Sequence, residues 1–172
     1  MFKVILSYLK PKTAKSGLNN TDHNKESNLR QLVIESEKEV SKNNFTNALS
    51  ILEKVIEIDP QCDYAYGDKA LILDHMGKLN ESINMYAKAL ELNPKNAITW
   101  HNKALTLIKQ RKIDEAISCF DEAIAINQEY SKAWYNKGRC LEMQGKTASA
   151  QSCLTMAKKL DPFLFSKIKL RS

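Results

Sequence analysis

Among the side chains of this chain that could bind zinc or act as nucleophiles are four cysteines and three histidines. A zinc site needs such residues at short, regular spacings, as in a CxxC pair or an HExxH helix. Neither spacing occurs, and no phosphate-binding glycine loop or nucleophile motif is found. We therefore predict that the chain is not an enzyme, needs no metal or cofactor, and keeps reduced thiols in the cytoplasm. The residues concerned are Cys62, Cys119, Cys140, Cys153, His23, His75 and His101.

The net charge of +6 is concentrated at the two ends of the 172-residue chain. Residues 1–31 carry six basic and two acidic side chains, whereas residues 32–162 carry 17 basic and 18 acidic ones. The apolar run at residues 2–9 is too short to span a bilayer and lacks the features of a secretory signal. Basic ends on a neutral body can attract nucleic acid or anionic lipid. We interpret residues 1–28 instead as a solvated, flexible N-terminal extension.

An internal repeat organises the rest of the chain. Pro60 and Pro94 are 34 residues apart, and Pro162 lies at twice that distance after Pro94. Each proline ends a similar phrase, such as VIEIDP and ALELNP. Aligning the segments predicts a degenerate first copy and three regular ones, followed by a short terminal segment. Their bounds are 29–62, 63–96, 97–130, 131–162 and 163–172.

Each copy is predicted to form two helices, because large and small residues recur at spacings of three, four and seven. Antiparallel helices approach closely only where one of them presents a small residue that a bulky neighbour can fill. We interpret Trp134 and Gly138 as such a knob and notch. The recurring Lys137 is expected to keep its charged end in solvent. When the four copies are aligned, one equivalent position is always small: Ser36, Ala70, Ala104 and Gly138. Another is always bulky: Leu52, Tyr86, Phe120 and Leu154.

Turn residues separate the two helices of each copy. Gly77 and Gly145 stand where a helix C-cap is expected. Asn80 and Asp114 follow, near the start of the next helix, where a short polar side chain can cap free N–H groups.

The pattern resembles the tetratricopeptide repeat, a helix–turn–helix unit with a characteristic period and a fixed set of large and small positions. The fourth copy matches it best, with Trp134, Gly138, Leu141, Ala150 and Leu154. The resemblance implies an all-α, right-handed α-solenoid of about four repeats with a C-terminal capping helix over residues 163–172. It also implies a scaffold or adaptor that binds protein partners.

The first copy departs from this pattern in its first helix. Ser36 occupies the small position, and Glu39 replaces the leucine found in the other copies. We interpret these substitutions as the polar face of a terminal repeat, which repeat arrays need for solubility.

The resemblance further implies a concave groove lined by the first helix of each repeat, where a peptide segment of a partner would bind. Acidic residues lie toward its N-terminal half and basic residues toward its C-terminal half. Asn102 and Lys132 match the carboxylate clamp of relatives that bind chaperone tails, but the other clamp positions do not, so a full clamp is not expected. The predicted groove residues are Tyr64, Asp68, His101, Asn102, Lys132, Tyr135, Asn136 and Arg139.

Two other functions are kept as alternatives. One is a peripheral membrane scaffold that uses the apolar and basic N-terminal segment. The other is a helical array that binds single-stranded RNA through stacked aromatic or arginine residues. Gly67, His101 and Tyr135 share one groove position but form no such series, so nucleic acid is not favoured. A homodimer formed through exposed end helices also stays open.

Overall fold

The computed structural model of the chain describes residues 20–164, with side chains from residue 25 onward, and these residues form eight α-helices and no strand. The helices divide into two compact units, α1–α4 and α5–α8. Within each unit, consecutive helices pair as antiparallel hairpins. Their bounds are α1 (Asn20–Ser41), α2 (Phe45–Ile58), α3 (Asp63–His75), α4 (Leu79–Leu92), α5 (Ala97–Lys109), α6 (Ile113–Ile126), α7 (Ser131–Met143) and α8 (Thr147–Leu160).

The predicted start of the first copy differs from the start of its first helix, whereas the starts of the other copies agree with the helices. Helices α3, α5 and α7 begin at the residues where the alignment starts copies two to four. Helix α1 begins at Asn20, ahead of the predicted boundary at Leu29. Most of the predicted N-terminal extension, residues 1–19, lies outside the described residues. So does most of the predicted capping helix, residues 165–172.

The turn inside each hairpin has the same backbone geometry in all four copies. Gly77 and Gly145 have φ of 76° and 73°, and the residue after each donates its N–H to the carbonyl five positions back. This bond pattern satisfies carbonyls that the helix end leaves unpaired, and it needs a left-handed residue. Asn43 and Arg111 fill the same position with φ of 59° and 61°. The predicted glycine C-caps are confirmed, and the other two copies adopt the turn without glycine.

Asn80 and Asp114 lie near the starts of α4 and α6, as predicted, but each is the second residue of its helix rather than the residue before it. Helices α4 and α6 begin at Leu79 and Ile113, so both residues lie inside the first turn of a helix. The N-cap of α6 is Lys112, whose side chain makes no capping bond. Asp114 Oδ1 instead accepts a hydrogen bond of 2.7 Å from Gln144 Nε2 of the next hairpin.

Gly138 is the notch that the sequence predicts, but Leu154 rather than Trp134 fills it. A Cβ atom added to Gly138 would lie 2.9 Å from Cγ and Cδ2 of Leu154. The Trp134 indole N–H donates to the Gln128 carbonyl at 2.9 Å. Trp100 makes the same bond to the Pro94 carbonyl at 2.9 Å. The tryptophans therefore fix the turn that precedes their own repeat, while the leucine sets the spacing of α7 and α8.

Glu39 is buried, so the interpretation of α1 as a polar outer face is wrong at this position. Its side chain is surrounded by the turn between α1 and α2, and the residue is 8% exposed. It accepts hydrogen bonds from Lys42 Nζ at 2.6 Å, Asn44 Nδ2 at 2.8 Å and Asn47 Nδ2 at 2.9 Å. The bond from Lys42 lowers its pKa most, to about 2. An ionised Glu39 thus ties the first hairpin together where the other copies use leucine.

The recurring lysines also do more than face solvent. Lys137 Nζ lies 2.5 Å from Asp121 Oδ1 and above the Trp134 ring, and its side chain is only 20% exposed. Lys69 pairs with Glu53 in the same way in the first unit. Lys137 is therefore partly buried, and its charged end is paired with an aspartate of α6 as well as being near solvent.

Candidate peptide-binding face

The predicted groove residues are divided between the two units. Tyr64 and Asp68 lie on α3 of the first unit, whereas the other six lie on α5 and α7 of the second. We call this second set the α5–α7 face: His101, Asn102, Lys132, Tyr135, Asn136 and Arg139. All six belong to first helices of their repeats, which is why the repeat brings them to one side.

Three residues of the α5–α7 face are joined through one imidazole ring. His101 Nε2 lies 3.0 Å from Asn136 Nδ2, and His101 Nδ1 lies 3.3 Å from Asn102 Oδ1. The fifth residue of copy three thereby meets the sixth residue of copy four. The structure thus brings these three predicted site residues into direct contact.

His101 itself is 6% exposed and does not offer its ring to a ligand. Its ring packs at an angle against Phe120 and Tyr130, with centroid distances of 5.6 and 5.0 Å. Burial lowers the pKa of His101 to about 4, and the positive charge of Lys132 acts in the same direction. The imidazole is therefore neutral at neutral pH. The sequence indicated that Phe120 is an interior residue, but no pattern along α5 pointed to its packing, or that of Tyr130, against His101.

The remaining residues of the face are open to solvent to different degrees. Lys132 and Arg139 are accessible, whereas Asn102, Tyr135 and Asn136 are partly buried. Arg139 Nη1 contacts Glu142 Oε2 at 2.7 Å on the surface of α7. Among the described residues, neither Nδ2 of Asn102 nor Oδ1 of Asn136 has a hydrogen-bond partner. The face therefore combines two amides with free hydrogen-bonding capacity and two cations.

The acidic residues of the predicted charge gradient lie in the first unit, and they carry less negative charge at neutral pH than the sequence indicates. Asp68 is partly buried, and this burial, together with the nearby Glu37, raises its pKa to about 7. Burial also raises the pKa of Glu37. Tyr64, the other predicted site residue here, has a pKa raised by burial and by its contact with Cys62. Asp68 is consequently only partly ionised at neutral pH.

The cysteines show no sign of reactivity. All four are free and buried. Burial raises the pKa of Cys62 and of Cys140 to about 11 and also raises the pKa of Cys119 and Cys153. Since the thiolate is the nucleophile, thiols of this kind are inert at neutral pH.

The residues that the structure describes contain neither a cluster that could hold a metal ion nor a helix that could span a membrane. Within residues 25–164, no three His, Cys, Asp or Glu side chains come together so as to hold a metal ion. None of the helices described is both long and apolar enough to cross a bilayer.

Comparisons with known proteins identify the repeat. One tetratricopeptide repeat model matches residues 85–118 and 119–152, and a second matches residues 40–62 and 64–96. The crystal structure of MamA superposes with a TM-score of 0.73 at 18% identity, covering 82% of this chain and 81% of MamA. PilF of Pseudomonas aeruginosa superposes with a TM-score of 0.74 at 22% identity, covering 81% of this chain and 64% of PilF.

A tetratricopeptide repeat protein from Parabacteroides merdae gives a TM-score of 0.73 at 19% identity, with 79% of this chain and 54% of that one covered. At these identities the likeness shows the fold alone. A comparison with curated protein sequences finds no significant match.

Proposed function

Since the chain belongs to the tetratricopeptide repeat family, we propose that it is a non-catalytic interaction module that binds a peptide segment of a partner protein on the α5–α7 face. The observation that carries this proposal is the pair of amides, Asn102 and Asn136, each with hydrogen-bonding capacity left over beside accessible cations. The cytoplasmic location stays a prediction, based on four free, buried thiols.

The hydrogen-bonding chemistry of the face suits a peptide main chain. An extended peptide carries one N–H and one C=O per residue, and both need partners when they leave water. An asparagine amide can both donate and accept, so the two amides can pair with these groups. Tyr135 adds partly buried aromatic area on the same helix, α7. The main chain thus supplies affinity that does not depend on the exact sequence of the partner.

The cations favour an acidic or carboxylate-ended segment. Lys132 and Arg139 are both accessible on α7. Arg139 is paired with Glu142, but an exposed ion pair of this type contributes less than about 1 kcal/mol. A ligand carboxylate can therefore replace Glu142 at little cost, and a guanidinium binds a carboxylate through two parallel bonds.

Binding of this kind is expected to be modest. Ordering a flexible peptide on an open face has an entropic cost that offsets much of the contact energy. We expect a dissociation constant on the order of micromolar, equivalent to about −8 kcal/mol. Added salt should weaken binding only in part, because the amide and tyrosine contacts carry no net charge.

The test begins with affinity purification that uses the full chain as bait. The partner segment so obtained is then titrated against the parent chain, Arg139→Glu and the charge-matched control Lys146→Glu. Lys146 lies in the turn before α8, away from the α5–α7 face. We expect Arg139→Glu to weaken binding about tenfold more than Lys146→Glu. If Arg139→Glu binds like the parent and removal of residues 1–19 or 165–172 abolishes binding, the ends of the chain carry the function instead.

Binding of single-stranded RNA receives no support from the face. Recognition of unpaired bases relies on aromatic or arginine planes on which bases can stack. His101, which stands at the required position in copy three, is buried, and Gly67 stands there in copy two. Tyr135 is then the sole member of the series among these three, which is too few for stacking.

A further inference from the structure

The buried imidazole of His101 has both nitrogens in hydrogen bonds, although the ring lies among Phe120 and Tyr130. A polar ring buried in this way is tolerated only when its nitrogens are satisfied. The two partners are Asn102 and Asn136, the residues with spare capacity for a ligand. The ring therefore lies behind the binding face and holds its two amides.

The chemistry of the ring admits one arrangement of protons. A neutral imidazole has one donor nitrogen and one acceptor nitrogen. Asn136 approaches with Nδ2, which can only donate, so His101 Nε2 must accept. Nδ1 then carries the proton and donates to Asn102 Oδ1. The contacts are mutually consistent only in this Nδ1–H tautomer.

The tautomer fixes what each amide has left for a ligand. With Oδ1 of Asn102 turned toward the ring, its Nδ2 is left as the outward donor, whereas Asn136 turns Nδ2 toward the ring and leaves Oδ1 as the outward acceptor. We propose that His101 is a positioning residue that sets this polarity, so that the α5–α7 face binds a peptide main chain with a carbonyl at Asn102 and an N–H at Asn136. The ligand class rests on the function proposed above, while the orientation of the two amides does not.

The surroundings keep the ring in the required neutral state. Burial and the nearby Lys132 charge hold the pKa of His101 at about 4, well below neutrality. A doubly protonated ring would present a donor to Asn136 Nδ2, which is itself a donor. Asn136 would then have to turn its amide around and lose its acceptor for the ligand.

The first experiment measures the tautomer in the free, full-length chain. Long-range proton–nitrogen correlation on ¹⁵N-labelled protein at pH 7 distinguishes the two imidazole nitrogens of each histidine. His101→Phe assigns the signal, because it removes one of three histidines. We expect the Nδ1–H form for His101. The Nε2–H form, or rapid averaging between the two, overturns the proposal whatever the ligand proves to be.

The second experiment measures binding of a peptide pool. Each peptide has ten residues and ends in an acidic residue with a free carboxylate, and the other positions are random. The parent chain is compared with His101→Phe, Asn136→Ala and the double variant, after circular dichroism has shown that each is folded. If His101 acts by orienting Asn136, each single variant lowers affinity by about tenfold and the double variant lowers it no further.

The outcomes separate the two proposals. Independent, multiplying losses in the double variant, or unchanged binding by His101→Phe, overturn the positioning role. A parent chain that retains no peptide overturns the proposed function and the ligand class with it. The tautomer measurement still decides the orientation of the amides in that case.

Discussion

Replacing Gly138 by alanine tests how α7 packs on α8. The added methyl group would lie 2.9 Å from Cγ and Cδ2 of Leu154 and 3.2 Å from the Ala150 carbonyl oxygen. Carbon atoms in contact normally keep about 3.5–4.0 Å. Leu154 is only partly buried and can rotate to some extent, but the Ala150 carbonyl belongs to the backbone of α8 and cannot. The two helices must therefore separate slightly to admit the methyl group.

The sign of the effect depends on two opposed quantities. Alanine is favoured over glycine in a helix interior by about 1 kcal/mol. Overpacking a close contact costs about 1–3 kcal/mol. Because three contacts are too short at once, we expect a net loss of about 1 kcal/mol in the free energy of unfolding. Gly138→Leu should lose considerably more.

A double-mutant cycle with Leu154→Ala isolates the contact. Leu154→Ala alone should lose about 2 kcal/mol, at the lower end for a leucine, because the side chain is only partly buried. In that background the methyl group at position 138 has room, so Gly138→Ala should stabilise by about 1 kcal/mol. The expected coupling energy is therefore about 2 kcal/mol. Urea unfolding followed by circular dichroism provides the four free energies. If Gly138→Ala stabilises the chain equally in both backgrounds, Leu154 does not fill the notch.

Three further substitutions test the backbone and the electrostatics. Arg111→Gly should raise the free energy of unfolding by about 1 kcal/mol, because Arg111 holds a φ of 61° that glycine adopts without strain. Gly145→Ala should lower the free energy of unfolding for the same reason. A loss of stability on Arg111→Gly would contradict the argument. Asp68→Asn should stabilise the first unit by about 2 kcal/mol at pH 8, roughly half of what the pKa shift alone would give, because Asp68 is only partly buried and solvent screens it; at pH 4 it should change little. The raised pKa, about 7 against 3.8 for an unperturbed aspartate, means that the folded chain keeps a proton the unfolded chain loses, so stability falls as pH rises through this window. Thermal unfolding at the two pH values measures it, and an equal effect at both would show that Asp68 is not buried as a carboxylic acid.

The repeat and its internal turns were already evident in the amino-acid sequence. A helix buries one stripe of side chains, so small and large residues must recur at helical spacing, and the repeat period is visible without coordinates. The same holds for Gly77 and Gly145, because the left-handed turn is a local property of the backbone. The site residues on α5 and α7 could be named for a related reason, since equivalent positions of these two successive repeats fall on one side.

What these residues do depends on the tertiary structure. Glu39 and His101 are polar residues that would ordinarily be exposed, yet both are buried and hydrogen-bonded in the fold, and Lys137 is partly buried in an ion pair. Whether such a group is solvated depends on partners from other elements, such as Asp121 for Lys137. A pattern along one helix cannot show those partners. The polarity of the α5–α7 face has the same origin, because a single ring from one repeat meets an amide of the next, and their hydrogen bonds exist only once α5 and α7 are packed side by side.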